Sequence, residues 1–325
     1  MGLSPAAIRS VNYHVLYVGR QEFAEQRKVI LEATRRNFLG FMRRLEIPVN
    51  AKHDKLLVIL LDSEEQMQEF TRRADGGGLG GGVAGYYSPR HNWAVFFNQR
   101  KDAEVLAWEQ WLSDMARDLQ SIPGGPQTKV EVTTPRGRMT LSKAEIQRQM
   151  QVEWQRVMTS VESFNTVVTQ HEGAHQVAFN VGVQQRGAAY PFWVSEGLAC
   201  LFEVPPEKGR TAQGAALVNR DRLEAYRKLR GTPAMPSFET FVGLQANERV
   251  ASADAAYSQS WALFAFTFHR HPKELSAYMK ALAQRVDDAD KTKYDEKAEF
   301  ERYFKESTGE LEKQFEKYVA GLKGS

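Results

Sequence analysis

Apolar residues recur along this chain with two periods, and the changes between them predict its elements. Tyr13 to Val18 alternates and is aromatic and β-branched, which predicts a strand. From Gln21 to Leu45, Phe23, Ile30, Phe38, Phe41, Met42 and Leu45 fall at helical spacing, and Pro48 ends the pattern. Leu56 to Leu61 is a short apolar run between polar flanks, the pattern of a buried strand. Ser63 to Arg73 reads as a helix with Asp62 or Ser63 as its cap and Glu65 in its first turn. Trp93 to Phe97 is a further strand. A β-α-β-α opening of this kind predicts a sheet with helices packed on it.

Between the second helix and the last strand runs a glycine-rich stretch, Gly76 to Gly85. It lacks the Gly-Lys-Ser/Thr ending of a phosphate-binding loop, since Tyr86 and Tyr87 follow. We read it as a surface loop, with a flap over a cleft as the alternative. Residues from about 101 to 141 read as an insertion. They comprise a helix from Asp102 to Leu119, a break at Pro123-Gly124-Gly125-Pro126, and a hairpin from Lys129 to Leu141 around Pro135-Arg136-Gly137. Ser142-Lys143-Ala144-Glu145 is a capping box. It opens a helical stretch to about Val181, with a break expected near Ser160. A helix from Pro191 to Val204 follows, and the rest is helical: Ala215 to Leu229, Phe238 to Leu244, Tyr257 to His269, Glu274 to Arg285, Lys297 to Phe304 and Glu310 to Leu322. The fold class expected is α+β. Residues 1–182 form a sheet-plus-helix lobe and residues 183–325 a helical lobe, with a cleft between them.

Composition narrows the function classes. The chain has 325 residues, 42% hydrophobic and 26% charged, which is ordinary globular usage. Its net charge of +3 is small, and its arginine pairs (Arg35-Arg36, Arg43-Arg44, Arg72-Arg73) are interspersed with acidic residues, so no nucleic-acid partner is expected. No window is apolar enough to span a membrane. The single cysteine, Cys200, excludes a disulfide within the chain and a cysteine-rich zinc finger. Met1 to Pro5 show no charged stretch leading into an apolar one, so no signal peptide is read there. The compartment is left open between cytosol and export.

The chemistry lies in His171-Glu172-Gly173-Ala174-His175, an H-E-x-x-H. Positions i and i+4 share one helix face, so both imidazoles can reach one ion. Glu172 flanks that face, placed to act as base toward a zinc-activated water. Val167, Val168, Ala174, Val177, Ala178 and Val181 supply the apolar side that a packed helix needs. The motif alone arises by chance in about one chain in a hundred of this length, so a second feature is needed. Trp193-Val194-Ser195-Glu196-Gly197-Leu198-Ala199 provides it, on a second helix. A catalytic zinc takes three protein ligands and leaves one position open, and Glu196 is the candidate third. Gly197 costs about 1 kcal/mol inside a helix relative to alanine. A close approach to the H-E-x-x-H helix would account for it.

H-E-x-x-H followed by W-x-x-E-G-x-A resembles the gluzincin metallopeptidases, the clan of thermolysin and the zinc aminopeptidases. Ser195 stands where those aminopeptidases carry asparagine. The fuller strings His-Glu-Gly-Ala-His-Gln-Val-Ala-Phe-Asn and Phe-Trp-Val-Ser-Glu-Gly-Leu-Ala are similar to a bacterial, planctomycete-type family of uncharacterised peptidase-like domains. That family also carries an N-R stretch and a Y-x-x-x-W helix, matched here by Asn219-Arg220 and Tyr257 to Trp261. The resemblance is specific from about 165 to 205. It implies a gluzincin-like fold, one zinc ion per chain held by His171, His175 and Glu196, and hydrolysis of a peptide or protein substrate.

The departures are informative. Thermolysin-like second motifs place an aspartate four residues after the ligand glutamate, where it orients a histidine; here that position is Cys200. Glu203 is either the replacement or a surface residue at a helix end. No G-x-M-E-N motif is present to hold a free amine, which favours an endopeptidase over an aminopeptidase. The clan's downstream transition-state donor is a tyrosine or histidine. Tyr226, Tyr257, His269 and His271 are available, and Tyr257 fits best, as the first residue of its helix. Cys200, on an apolar face beside Leu201 and Phe202, is not expected to be a nucleophile. The competing expectation is a binding or scaffold protein on the same fold with weak or absent turnover. The retained base, Glu172, argues against it. Hydrolysis of a non-protein amide is a third.

Overall fold

The computed structural model describes residues 4–77, 83–134, 137–204, 218–246, 248, 250–286 and 294–322. It is an α+β protein whose described residues cluster into two compact units. The smaller comprises residues 61–84 and 97–165. The larger comprises residues 4–60, 85–96 and 166–325, so residues on both sides of position 182 belong to it.

In order, the elements are β1 (Ala6–Arg9), β2 (Tyr13–Tyr17), α1 (Gln21–Arg44), β3 (Leu56–Leu61), α2 (Glu64–Ala74), β4 (Gly85–Ser88), β5 (Trp93–Phe97), α3 (Ala103–Ser121), β6 (Lys129–Thr134), β7 (Gly137–Ser142) and α4 (Lys143–Asn180). After these come α5 (Phe192–Cys200), α6 (Arg220–Leu229), α7 (Phe238–Gly243), α8 (Ala253–Arg270), α9 (Pro272–Leu282), α10 (Glu296–Phe304) and α11 (Thr308–Gly321). The sheet order is β1-β2-β3-β5-β4. β2 and β3 run parallel, and β1 and β4 are antiparallel edge strands on β2 and β5.

Two strands were not expected. β1 is an exposed four-residue edge with no alternation to reveal it. β4 begins at the last residue of the glycine-rich stretch, and its pairing with β5 is what makes it a strand. Residues 78–82 of that stretch lie outside the described residues, as do Pro135 and Arg136 of the hairpin and residues 205–217 before α6.

The smaller unit holds the inserted segment. Asp102 caps α3 by accepting from the Glu104 N–H at 2.8 Å, and β6 and β7 form the hairpin. The capping box closes as read. Glu145 Oε2 accepts from the Ser142 N–H and hydroxyl, both at 2.7 Å, and Ser142 Oγ accepts from the Glu145 N–H at 3.2 Å. The helix it opens, α4, runs 38 residues without a break, because Ser160 sits mid-helix among residues that do not interrupt the backbone ladder.

In the larger unit the last part of α4 packs on α1 at Gly173. A Cβ added there would meet Leu31 Cδ2 at 3.0 Å, so the first variable position inside H-E-x-x-H is small because α1 lies against it. Trp193 of α5 is fully buried among Phe264, Tyr278, Phe300 and Phe304, which anchors α5 in the helical core. Gly197 is explained by a different neighbour from the one expected. Its added Cβ would stand 2.5 Å from the Ser260 carbonyl oxygen and 2.7 Å from Phe264 Cβ, so the close approach is to α8 rather than to α4. α8 itself begins four residues before Tyr257. Ser252 caps it, accepting from the Ala255 N–H at 3.3 Å. Tyr257 is therefore one turn inside the helix and not its first residue.

Candidate metal centre

α4 presents His171 and His175 one turn apart, and α5 brings Glu196 up to them. His171 Nε2 lies 3.1 Å from His175 Nε2 and 3.1 Å from Glu196 Oε2, and His175 Nε2 lies 3.4 Å from the same oxygen. Donors held by one zinc at about 2.0–2.1 Å in a tetrahedral array stand about 3.3–3.4 Å apart. The three donors thus already form a triangle of nearly that size. Two imidazole nitrogens and a carboxylate oxygen brought together in this way are a donor set that could hold a borderline metal cation.

The charges say the same. Burial opposes a charge on His171, yet Cys200, Glu196 and Glu203 outweigh it and draw its pKa well above the ordinary imidazole value. Burial would raise the Glu196 carboxyl, but His175 and His171 hold it well below the usual carboxylate range. With Glu172 ionised, three carboxylates surround the two imidazoles, and Arg222 is the guanidinium set against them. A divalent cation placed among these donors would add to the positive charge of Arg222.

Glu203 sits behind His171. Its Oε1 faces His171 Nδ1 at 2.9 Å, and its side chain is 3% exposed. Arg222 holds it from two sides, with Nε donating to Oε2 at 2.8 Å and Nη2 to Oε1 at 2.7 Å, and Asn219 Nδ2 donates to Oε2 at 3.0 Å. Burial alone would raise this carboxyl, but His171 and Arg222 hold it down to about 2. An ionised carboxylate on the far ring nitrogen fixes the tautomer that presents Nε2 to a metal. Asn219 also caps α6, accepting from the Arg222 N–H at 3.1 Å. Sequence reasoning picked out Asn219-Arg220. The arginine that reaches the site is Arg222, two residues further and still in the first turn of α6, which starts at position 220.

Cys200, four residues after Glu196, is fully buried. Its thiol, 3.8 Å from the Tyr257 carbonyl oxygen, is pushed up to about 12, first by burial and then by Glu203. A thiol so held is not a nucleophile. His171, Cys200 and Glu203 make a second donor cluster, but Arg222 and Asn219 already bond both Glu203 oxygens.

Tyr257 reaches the site from α8. Its ring lies edge-on to His171 at 5.6 Å between centroids, stacks on Phe192 at 6.1 Å, and carries the Arg222 guanidinium at 5.3 Å. Burial, then the Glu196 charge, raise its pKa, so the hydroxyl keeps its proton. The other three downstream residues point elsewhere. Tyr226 donates to Glu316 at 3.0 Å, His269 pairs with Tyr318 at 2.7 Å, and His271 pairs with Gln314 at 3.2 Å. Glu172 is partly buried, and burial raises its carboxyl while His171 and His175 partly offset the shift.

Fold and donor set together define an α+β protein with a two-histidine, one-carboxylate centre. Residues 164–287 match a family model described as a protein of unknown function (DUF1570), a span that contains every residue of this centre. No curated protein matches the chain.

Proposed function

We propose that the protein is a zinc-dependent metallopeptidase of gluzincin type, cutting within peptide chains. The observation that carries this reading is the triangle of His171, His175 and Glu196 donors with a carboxylate, Glu172, on the next residue of the same helix. Zinc, when bound by those three residues, supplies Lewis acidity toward a scissile carbonyl and a water. The chain's own residues do the rest. Glu172, its carboxyl raised by burial, accepts the proton of the attacking water and returns it to the departing amine. Tyr257, kept protonated, donates to the oxygen on which negative charge develops. Glu203 and Arg222 hold His171 in one tautomer and one orientation.

The experiment is a cleavage screen on a denatured proteome with zinc-loaded protein, a chelator-treated control and metal analysis of both samples. Zinc at one per chain with chelator-sensitive cuts supports the proposal. Bound zinc with no cuts points instead to a binding protein on a peptidase-type fold. No stoichiometric metal in protein prepared with zinc overturns both.

A further inference from the structure

The matched string His171–Asn180 continues past the metal ligands, and its last polar residues, Gln176 and Asn180, take no part in the centre described above. They bind the turn between β4 and β5. Asn92, in that turn, has a left-handed backbone with φ of 58°. Its amide pairs reciprocally with that of Asn180. Asn92 Nδ2 donates to Asn180 Oδ1 at 3.0 Å, and Asn180 Nδ2 donates to Asn92 Oδ1 at 2.7 Å. Tyr87 of β4 donates its hydroxyl to the same Asn92 Oδ1 at 3.0 Å, and its ring lies 5.4 Å from that of Phe179. Asn180 Nδ2 also donates to the Gln176 carbonyl at 2.7 Å, and Gln176 Nε2 donates to the Leu57 carbonyl of β3 at 2.9 Å. The amides thus tie three pieces together: α4, the sheet, and the turn that follows edge strand β4.

The strand so held lies along α4. At its start, a Cβ on Gly85 would stand 2.9 Å from Val168 Cγ1. Beyond its far end, in the turn that leads to β5, Asn92 meets Asn180. Glu172 is one turn from Val168 on the same helix face, and lies between those two attachment points on α4. The base of the proposed reaction therefore sits under β4, and the separation of strand and helix fixes the space around its carboxylate.

We infer that Asn92, Asn180 and Gln176 form an amide clamp that positions edge strand β4 over Glu172. It serves the base without touching substrate or metal. This rests on the peptidase reading only for its effect on rate. Misplacement of a base by about 1 Å costs up to about a hundredfold, so loss of the clamp should lower kcat about ten- to a hundredfold.

The variant that tests this is Asn92→Gly. Glycine accepts the left-handed backbone without strain, so the turn is kept while the amide is removed. It is compared with Asn180→Ala and with the double variant, each checked by thermal unfolding. Three measurements are made on zinc-loaded protein. Amide hydrogen exchange across Tyr86 to Ser88 should speed at least about tenfold. Zinc content should stay at the wild-type value. Turnover should fall in kcat with KM within about twofold, and the double variant should be no slower than the worse single one, because one device is lost once. Faster β4 exchange with unchanged kcat overturns the clamp's role, and so does unchanged exchange. A wild type that cuts nothing defeats the peptidase reading. The exchange measurement then decides alone whether the amides hold the strand.

Discussion

Glu203→Gln isolates the residue on which the histidine geometry depends. The side chain is nearly isosteric, so packing is preserved, but the charge that answers Arg222 is gone. The amide oxygen still accepts one bond, and the amide nitrogen then faces either His171 Nδ1 or the guanidinium. Arg222 is 19% exposed and Glu203 3%, so solvent replaces little of what is lost. Breaking one side of a buried pair costs about 3–5 kcal/mol. The retained acceptor and the edge of Arg222 that meets water bring the expected loss of stability to about 2–3 kcal/mol. Zinc affinity should fall about 10- to 100-fold, as it does when the outer partner of a ligand histidine is removed. That is about 1.4–2.7 kcal/mol. Competition against a chromophoric chelator near pH 7 measures the affinity, and urea titration of the metal-free protein measures the stability. A folded Gln variant that binds zinc within about twofold of wild type would falsify the role given to Glu203.

His171→Ala or His175→Ala should abolish stoichiometric zinc on metal analysis, and Glu196→Ala should weaken it; full affinity in the last would mean that another residue is the third ligand. Glu172→Gln should keep zinc and lose about 10²–10⁴ in rate at matched metal content, and undiminished turnover would remove it from the mechanism. Gly197→Ala should destabilise by about 1–3 kcal/mol in urea titration, since its Cβ meets the Ser260 carbonyl at 2.5 Å; a neutral result would mean that α5 and α8 separate freely. In metal-free protein the Glu203 carboxyl lies at about 2 against an ordinary 4.5. Its stabilisation is therefore full above about pH 4.5 and is lost as pH falls toward 2, so the stability gap between wild type and Glu203→Gln should close across that window.

Much of this was legible in the chain because the signals are periodic. β3, β5 and α1 stand within a residue or two of where their apolar patterns end, and the Ser142–Glu145 box marks the start of α4. His171, Glu172 and His175 are readable because a helix turns sequence spacing into spatial spacing. Glu196 needed a second helix and a tertiary contact, and its neighbour Gly197 pointed to a close approach without saying to what. Glu203 was legible only as one of two alternatives. α5 ends at Cys200, and the chain then tightens through Leu201 and Phe202, so helical phase does not say where residue 203 points. Arg222 and Asn92 carried no local signal. Each acts through a partner distant in sequence, and Asn92 acts from a turn whose strand, β4, is short and follows a glycine run.

The carboxylate that orients His171 lies outside α5. Glu203 lies beyond the helix end and is fixed by Asn219 and Arg222, which belong to the start of α6. Arg222 in turn covers the ring of Tyr257 on α8. The histidine tautomer, the third ligand's helix and the tyrosine thus meet in one polar hub whose parts come from α4, α5, α6 and α8. Metal binding stabilises whatever state presents all the ligands, and here that state requires α6 to be seated. If the proposed zinc is bound, its affinity should therefore report on the docking of a helix that supplies no ligand. Changes confined to the first turn of α6 should reach the metal through Glu203 even though they leave His171, His175 and Glu196 untouched.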